Sequence, residues 1–136
     1  MRKIEHIGIA VNNIDEATKT YEMVLNKKAY KEENVNSEGV KTVFFETGES
    51  KIELLGATTP DSPIAKYLVK KGEGIHHIAF AVDDIYKEIE RLEKEGFTLI
   101  NKEPKKGADN KLIAFLHPKS NHGVLVELCQ DDKKII

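Results

Sequence analysis

Polar and apolar residues alternate through Glu5-His6-Ile7-Gly8-Ile9-Ala10-Val11, the period of two that a strand with one covered face requires. The period then lengthens: Ile14, Ala17, Tyr21 and Val24 recur at helical spacing. Three β-like stretches follow, Lys28 to Glu33, Val40 to Thr47 and Lys51 to Ala57, with Gly48-Glu49-Ser50 as the hairpin turn between the last two. The second half runs through the same cycle. Its opening strand is His76-His77-Ile78-Ala79-Phe80-Ala81-Val82, its helix carries Ile85, Ile89 and Leu92, and its later strands are expected over Phe97 to Lys102, Leu112 to His117 and Gly123 to Gln130. Asp83 is the expected cap of that helix, Gly96 its stop, and Lys119 to Gly123 the last hairpin turn.

The two halves are copies. Glu5-His6-Ile7-Gly8-Ile9-Ala10-Val11-Asn12-Asn13-Ile14 matches His76-His77-Ile78-Ala79-Phe80-Ala81-Val82-Asp83-Asp84-Ile85 at 77 − 6 = 71, and Lys51-Ile52-Glu53-Leu54-Leu55 matches Leu125-Val126-Glu127-Leu128-Cys129 at 127 − 53 = 74. The offset grows by three, the signature of one small insertion. The expected fold is therefore α+β, a tandem pair of βαβββ modules over 1–58 and 73–130, joined by a connector helix within 59–72 that Ser62 caps and Pro63 begins. A helical connector needs no flexible linker, so residues 1–136 are expected to form one domain.

Strand parity decides which polar groups can meet. Ile7, Ile9 and Val11 share one face of the first strand, and Ile78, Phe80 and Val82 share the matching face, the one helices are expected to cover. The opposite faces carry His6, Gly8 and Ala10 in one copy and His77, Ala79 and Ala81 in the other: small residues around one imidazole, with room for a ligand. In the late strands Glu53 and Glu127 stand opposite apolar neighbours. A single His or Glu on a strand is ordinarily solvated or hydrogen bonded. Here both types recur in both copies, and pseudo-twofold symmetry would bring His6, Glu53, His77 and Glu127 onto one concave surface, where two carboxylates repel unless a cation joins them. Two imidazoles with two carboxylates suit a mid-row divalent ion, Co²⁺, Mn²⁺, Ni²⁺ or Zn²⁺. His76 points with the apolar face and is read as structural, His117 and His122 flank a turn, and Cys129 is read as inert packing.

Charge excludes several partners. With 21 Lys+Arg against 23 Asp+Glu and no long basic block, the chain offers no nucleic-acid or anionic-membrane footprint. One Cys allows no disulfide framework, no apolar run reaches membrane-spanning length, and Met-Arg-Lys leads into a strand pattern, so a cytoplasmic protein is expected.

Residues His6 to Val11, Ile52 to Leu55, Asp61-Ser62-Pro63-Ile64-Ala65, Gly74 to Ile78, Phe115-Leu116-His117-Pro118-Lys119 and Gly123 to Leu128 together resemble the vicinal oxygen chelate superfamily and, within it, the methylmalonyl-CoA epimerase family. That resemblance implies a cupped mixed sheet around one metal, helices on its outer face, with His6, Glu53, His77 and Glu127 as ligands. It implies Co²⁺ as first choice of ion, an acyl-CoA thioester as substrate and a homodimer. Some relatives have Gln where Glu53 stands, and some carry an acidic base where this chain has Thr42; Glu46 shares that parity about 13 Å further along the strand. Lys105, Lys106 and Lys119 are turn cations near which coenzyme A phosphates would be welcome, but they stay outside the site assignment.

The implied reaction epimerises methylmalonyl-CoA by removing the proton α to the thioester, through a metal-stabilised enolate. Glu127 is then one base, and the second donor is Glu53, a bound water or a carboxylate placed elsewhere. The same His-Glu-His-Glu set resembles bacterial glyoxalase I, a lactoylglutathione lyase, whose substrate is the glutathione hemithioacetal of methylglyoxal. Drug-sequestering relatives lack such a ligand set. Ring-cleaving dioxygenases use two His and one carboxylate, and a fourth protein ligand would occupy the position oxygen needs.

Overall fold

The alternating and helical patterns become eleven regular elements in a computed structural model that describes residues 1–132. In chain order these are β1 (Lys3–Ala10), α1 (Ile14–Leu25), β2 (Lys31–Val35), β3 (Val40–Thr47), β4 (Ser50–Ala57), α2 (Pro63–Lys71), β5 (Gly74–Ala81), α3 (Ile85–Lys94), β6 (Lys105–Lys106), β7 (Lys111–Leu116) and β8 (Val126–Asp131). The class is α+β, and βαβββ is repeated. By internal contacts the chain divides into one unit of His6–His76 and another of Met1–Glu5 with the chain from His77 onward.

In the first unit β1 runs parallel to β4, β4 antiparallel to β3, and β3 antiparallel to β2. The β3–β4 hairpin closes in two residues because Gly48 takes a φ of +63°, the positive value such turns demand at their first central position. Helix α1 lies over β3 and β4, where Ile14, Ala17, Tyr21 and Leu25 pack on Val43, Phe45 and Leu54. It comes so close at Gly56 that a Cβ there would stand 3.1 Å from the Cβ of Ile14. Val24, expected in this stripe, is 68% exposed. At about 100° per residue Leu25 returns to within about 20° of Ile14, whereas Val24 is about 80° away. Helix α2 starts as expected: Ser62 Oγ accepts the Ala65 N–H at 3.1 Å, and Pro63 needs no amide partner at the first position. Ile64 of α2 is buried with Ala10, Val40 and Leu55. The small-residue face of β1 is therefore closed at its Ala10 end.

The second unit repeats the plan, with β5 parallel to β8, β8 antiparallel to β7 and β7 antiparallel to β6. Helix α3 buries Ile85, Ile89 and Leu92 against Ala114, Leu116 and Leu128. Because it lies over β7 and β8, Val82 enters that core while Ile78 and Phe80 remain half-buried. Its cap is Asp84, whose Oδ1 accepts the N–H groups of Tyr86 at 3.1 Å and Lys87 at 3.2 Å. Asp83, the expected cap, is one residue too early and instead pairs with Arg2 at 2.8 Å. Asn13 caps α1 at the matching position.

The strand expected over 97–102 does not form. Leu99 makes one isolated bridge to Leu116, and the outer strand of this module is the two-residue β6. Two backbone bonds still tie the segment to β7 and His117, Ile100 N–H to the Phe115 carbonyl and His117 N–H to the Thr98 carbonyl, both at 2.8 Å. Side chains take the remaining amides: Asn101 Oδ1 accepts the Phe115 N–H at 2.9 Å, and Ser120 Oγ the Thr98 N–H at 3.1 Å. The three-residue growth of the repeat offset is also located. Phe44 faces Glu53 across β3 and β4, nine residues apart in sequence (53 − 44), while Phe115 faces Glu127 across β7 and β8, twelve apart (127 − 115). The insertion is in the β7–β8 connection.

Two stability comparisons check this packing. Ile85→Ala should cost about 2–5 kcal/mol in urea unfolding, and Val24→Ala less than about 0.5 kcal/mol. Asp84→Ala should cost about 1 kcal/mol, and Asp83→Ala roughly half that or less, because it removes only an exposed ion pair.

Candidate metal centre

The register explains how each module closes a His–Glu pair. In the first, Gly8 stands directly opposite Glu53 and His6 opposite Lys51, so His6 and Glu53 are diagonal neighbours on one face. With no side chain on Gly8 the imidazole and the carboxylate meet, His6 Nδ1 to Glu53 Oε2 at 3.0 Å. In the second module Ala79 stands opposite Glu127, and the same diagonal brings His77 Nε2 to Glu127 Oε1 at 3.3 Å. The small residue two positions past each histidine is a steric condition for the pair. All four side chains are buried, with residue exposures of 4% for His6, 5% for Glu53, 5% for His77 and 4% for Glu127.

Burying carboxylates is costly unless each has a charge or hydrogen-bond partner. Each imidazole supplies one such partner. The spacing also fits a shared cation: two donors about 2.1 Å from one ion and at right angles stand about 3.0 Å apart. Imidazole nitrogen and carboxylate oxygen are donors that divalent ions of the middle of the first row accept.

The other titratable candidates fall elsewhere. His76 packs edge-on against Tyr67 with ring centroids 4.7 Å apart, and its burial pulls its pKa below the ordinary imidazole value. His117 caps a short 3₁₀ turn, its Nδ1 accepting the Lys119 N–H at 3.1 Å, and His122 is exposed at a φ of +57°. Cys129 is buried opposite Ile113 and Ala81. Thr42 is fully buried opposite Leu55, so that position brings no carboxylate. Glu46 lies opposite Lys51 near the exposed end of β3. Lys105, Lys106 and Lys119 are all exposed.

Two residues escaped the sequence reading. Phe44 is the cross-strand neighbour of Glu53, and Phe115 is that of Glu127. Their separation, 115 − 44 = 71, equals that of the two histidines, so the repeat already carried the signal. Their surroundings differ. Phe44 is sealed beneath Tyr30, whose ring lies 5.9 Å away, with Lys31 Nζ 5.5 Å from its centre. Phe115 is half-buried, and the His77 ring meets it edge-on at 5.8 Å and 87°.

Comparison with known proteins follows the same lines. The family model of the glyoxalase/bleomycin resistance protein/dioxygenase superfamily matches residues 5–115. An uncharacterized protein of Bacillus subtilis (strain 168) is 42% identical over 130 residues, covering 96% of this chain and 93% of that protein. The mitochondrial methylmalonyl-CoA epimerase of Homo sapiens is 39% identical over 129 residues, 94% of this chain and 73% of that one. A solved methylmalonyl-CoA epimerase in complex with methylmalonyl-CoA and NH4+ superposes with a TM-score of 0.90 at 34% identity, covering 96% of this chain and 95% of the other.

Saturating Co²⁺ should raise the melting temperature of the metal-free protein. An ion at a hundred times its Kd stabilises by about 2.7 kcal/mol, which is roughly 5–10 °C for a chain of this size. His6→Ala should remove most of that shift, as read by scanning calorimetry.

Proposed function

The chain belongs to the glyoxalase/bleomycin resistance protein/dioxygenase superfamily, and from that premise we propose that it is a metal-dependent isomerase that epimerises methylmalonyl-CoA. The observation that carries the reading is the buried His–Glu pair formed independently in both modules, at 3.0 Å and 3.3 Å. Its support in kind is the resemblance, over nearly the whole chain, to methylmalonyl-CoA epimerases. On this reading residues 1–136 act as one domain, and His6, Glu53, His77 and Glu127 hold one divalent ion, Co²⁺ first, with Mn²⁺, Ni²⁺ or Zn²⁺ as substitutes. A bound ion supplies Lewis acidity toward the substrate oxygens on which negative charge gathers.

The chain's own residues do the proton work. Glu127 takes the hydrogen from the carbon between thioester and carboxylate, and the C–H electron pair moves into the thioester to give an enolate. Return of a proton to the opposite face inverts the centre, with Glu53 or a water molecule as donor. Burial of the two carboxylates beside imidazoles keeps bulk water from competing for the enolate. Among the described residues no helix is long and apolar enough to cross a membrane. A cytoplasmic homodimer completes the proposal, and it is the resemblance that supports that part.

With Co²⁺ loaded, the protein should exchange the α-hydrogen of methylmalonyl-CoA for solvent deuterium. Glu127→Gln should slow the exchange by about 10²–10⁴-fold while thioester binding is kept. Near-normal exchange by that variant would remove Glu127 from its role. Turnover of methylglyoxal with glutathione, and none of the thioester, would make the protein a glyoxalase instead.

A further inference from the structure

The two modules are unequal at one repeat-matched position. Phe44 and Phe115 each face a site carboxylate across a pair of strands, but Phe44 is covered by Tyr30 and Lys31 while Phe115 keeps an open side. Cross-strand neighbours have Cβ atoms about 4.5–5.5 Å apart, and a base must come within roughly 3 Å of the hydrogen it removes. A carbon acid presented to Glu127 therefore carries its α-substituent within reach of the Phe115 ring. The ring stands edge-on to His77, and the backbone that carries it is held by Asn101, which accepts the Phe115 N–H.

Ile113, two residues back on β7, extends the same apolar surface. It leans over Gly107, where a Cβ would come within 2.7 Å of its Cδ1. Ile113 thus occupies the space a side chain at 107 would need.

We propose that Phe115, backed by Ile113, is the wall against which the α-substituent of the acyl thioester packs, and that it limits the substituent to about the size of a methyl group. This rests on the epimerase reading above and names the specificity determinant within it. Phe115 takes no part in proton transfer. Its effect is on which 2-alkylmalonyl thioester is turned over.

The test compares kcat/KM for deuterium exchange on methylmalonyl-CoA and ethylmalonyl-CoA in the Co²⁺-loaded wild type, Phe115→Leu and Phe44→Leu. One methylene in an apolar pocket is worth about 10–200-fold, so Phe115→Leu should move the ratio toward the ethyl substrate by about tenfold or more. Phe44→Leu should lower the melting temperature and leave the ratio within about twofold. Phe115→Met, whose unbranched flexible side chain fills irregular gaps more readily, serves as the second variant if the leucine chain does not fold. A wild type active on methylmalonyl-CoA whose ratio is unmoved by substitution at 115, with Co²⁺ binding intact, overturns this inference alone. An equal shift from Phe44→Leu overturns it too. A wild type inactive on both thioesters brings down the epimerase reading and this inference with it.

Discussion

A carboxylate held inside a β-sheet must be neutralised where it stands, and in this protein that requirement is met twice by the same device. Glu53 and Glu127 are both buried, and each has an imidazole nitrogen within 3.3 Å. Water cannot relieve charge at such positions, so protein groups or a bound cation must. Much of the local architecture serves this condition. Gly8 and Ala79 are small because a larger side chain opposite the glutamate would part the pair. On the opposite faces the helices supply the apolar contacts that hold the strands in register, α1 over β3 and β4 and α3 over β7 and β8.

Duplication gives this arrangement its economy, and divergence between the copies gives it direction. Both modules use one strand order, one diagonal pairing and a cap at the same repeat position, Asn13 in one and Asp84 in the other. They differ around the repeat-matched phenylalanines. One Phe is sealed under Tyr30 and Lys31 and the other is left half-open beside the proposed base. The three-residue growth of the repeat falls in the β7–β8 connection, after Phe115.

Most of the fold was legible in the sequence because alternation and repeat offset report the backbone's own periodicities. Parity alone put His6 with Glu53 and His77 with Glu127 on shared faces, and the register turned those faces into pairs. Where the reading failed, side chains had taken over the backbone's role. The side chains of Asn101 and Ser120 replace part of the ladder around 97–102, which keeps two backbone bonds to β7 and its flanking residue, and Asp84 rather than Asp83 reaches the free amides of α3. The exposure of Val24 and the filling of the Ala10 end by Ile64 depend on which strands a helix crosses. Local pattern does not carry that information. The role proposed for Phe115 was hidden for a related reason: an aromatic residue on a strand reads as core until its cross-strand neighbour is known.

The central proposal is that the two His–Glu pairs share one divalent ion. Titration of the metal-free protein with Co²⁺, followed by its visible absorption and by calorimetry, tests it most directly. The account predicts saturation at one ion per chain, with His6→Ala and His77→Ala each abolishing tight binding although they lie in different modules. Saturation at two ions per chain, or tight binding that survives loss of either histidine, would contradict it.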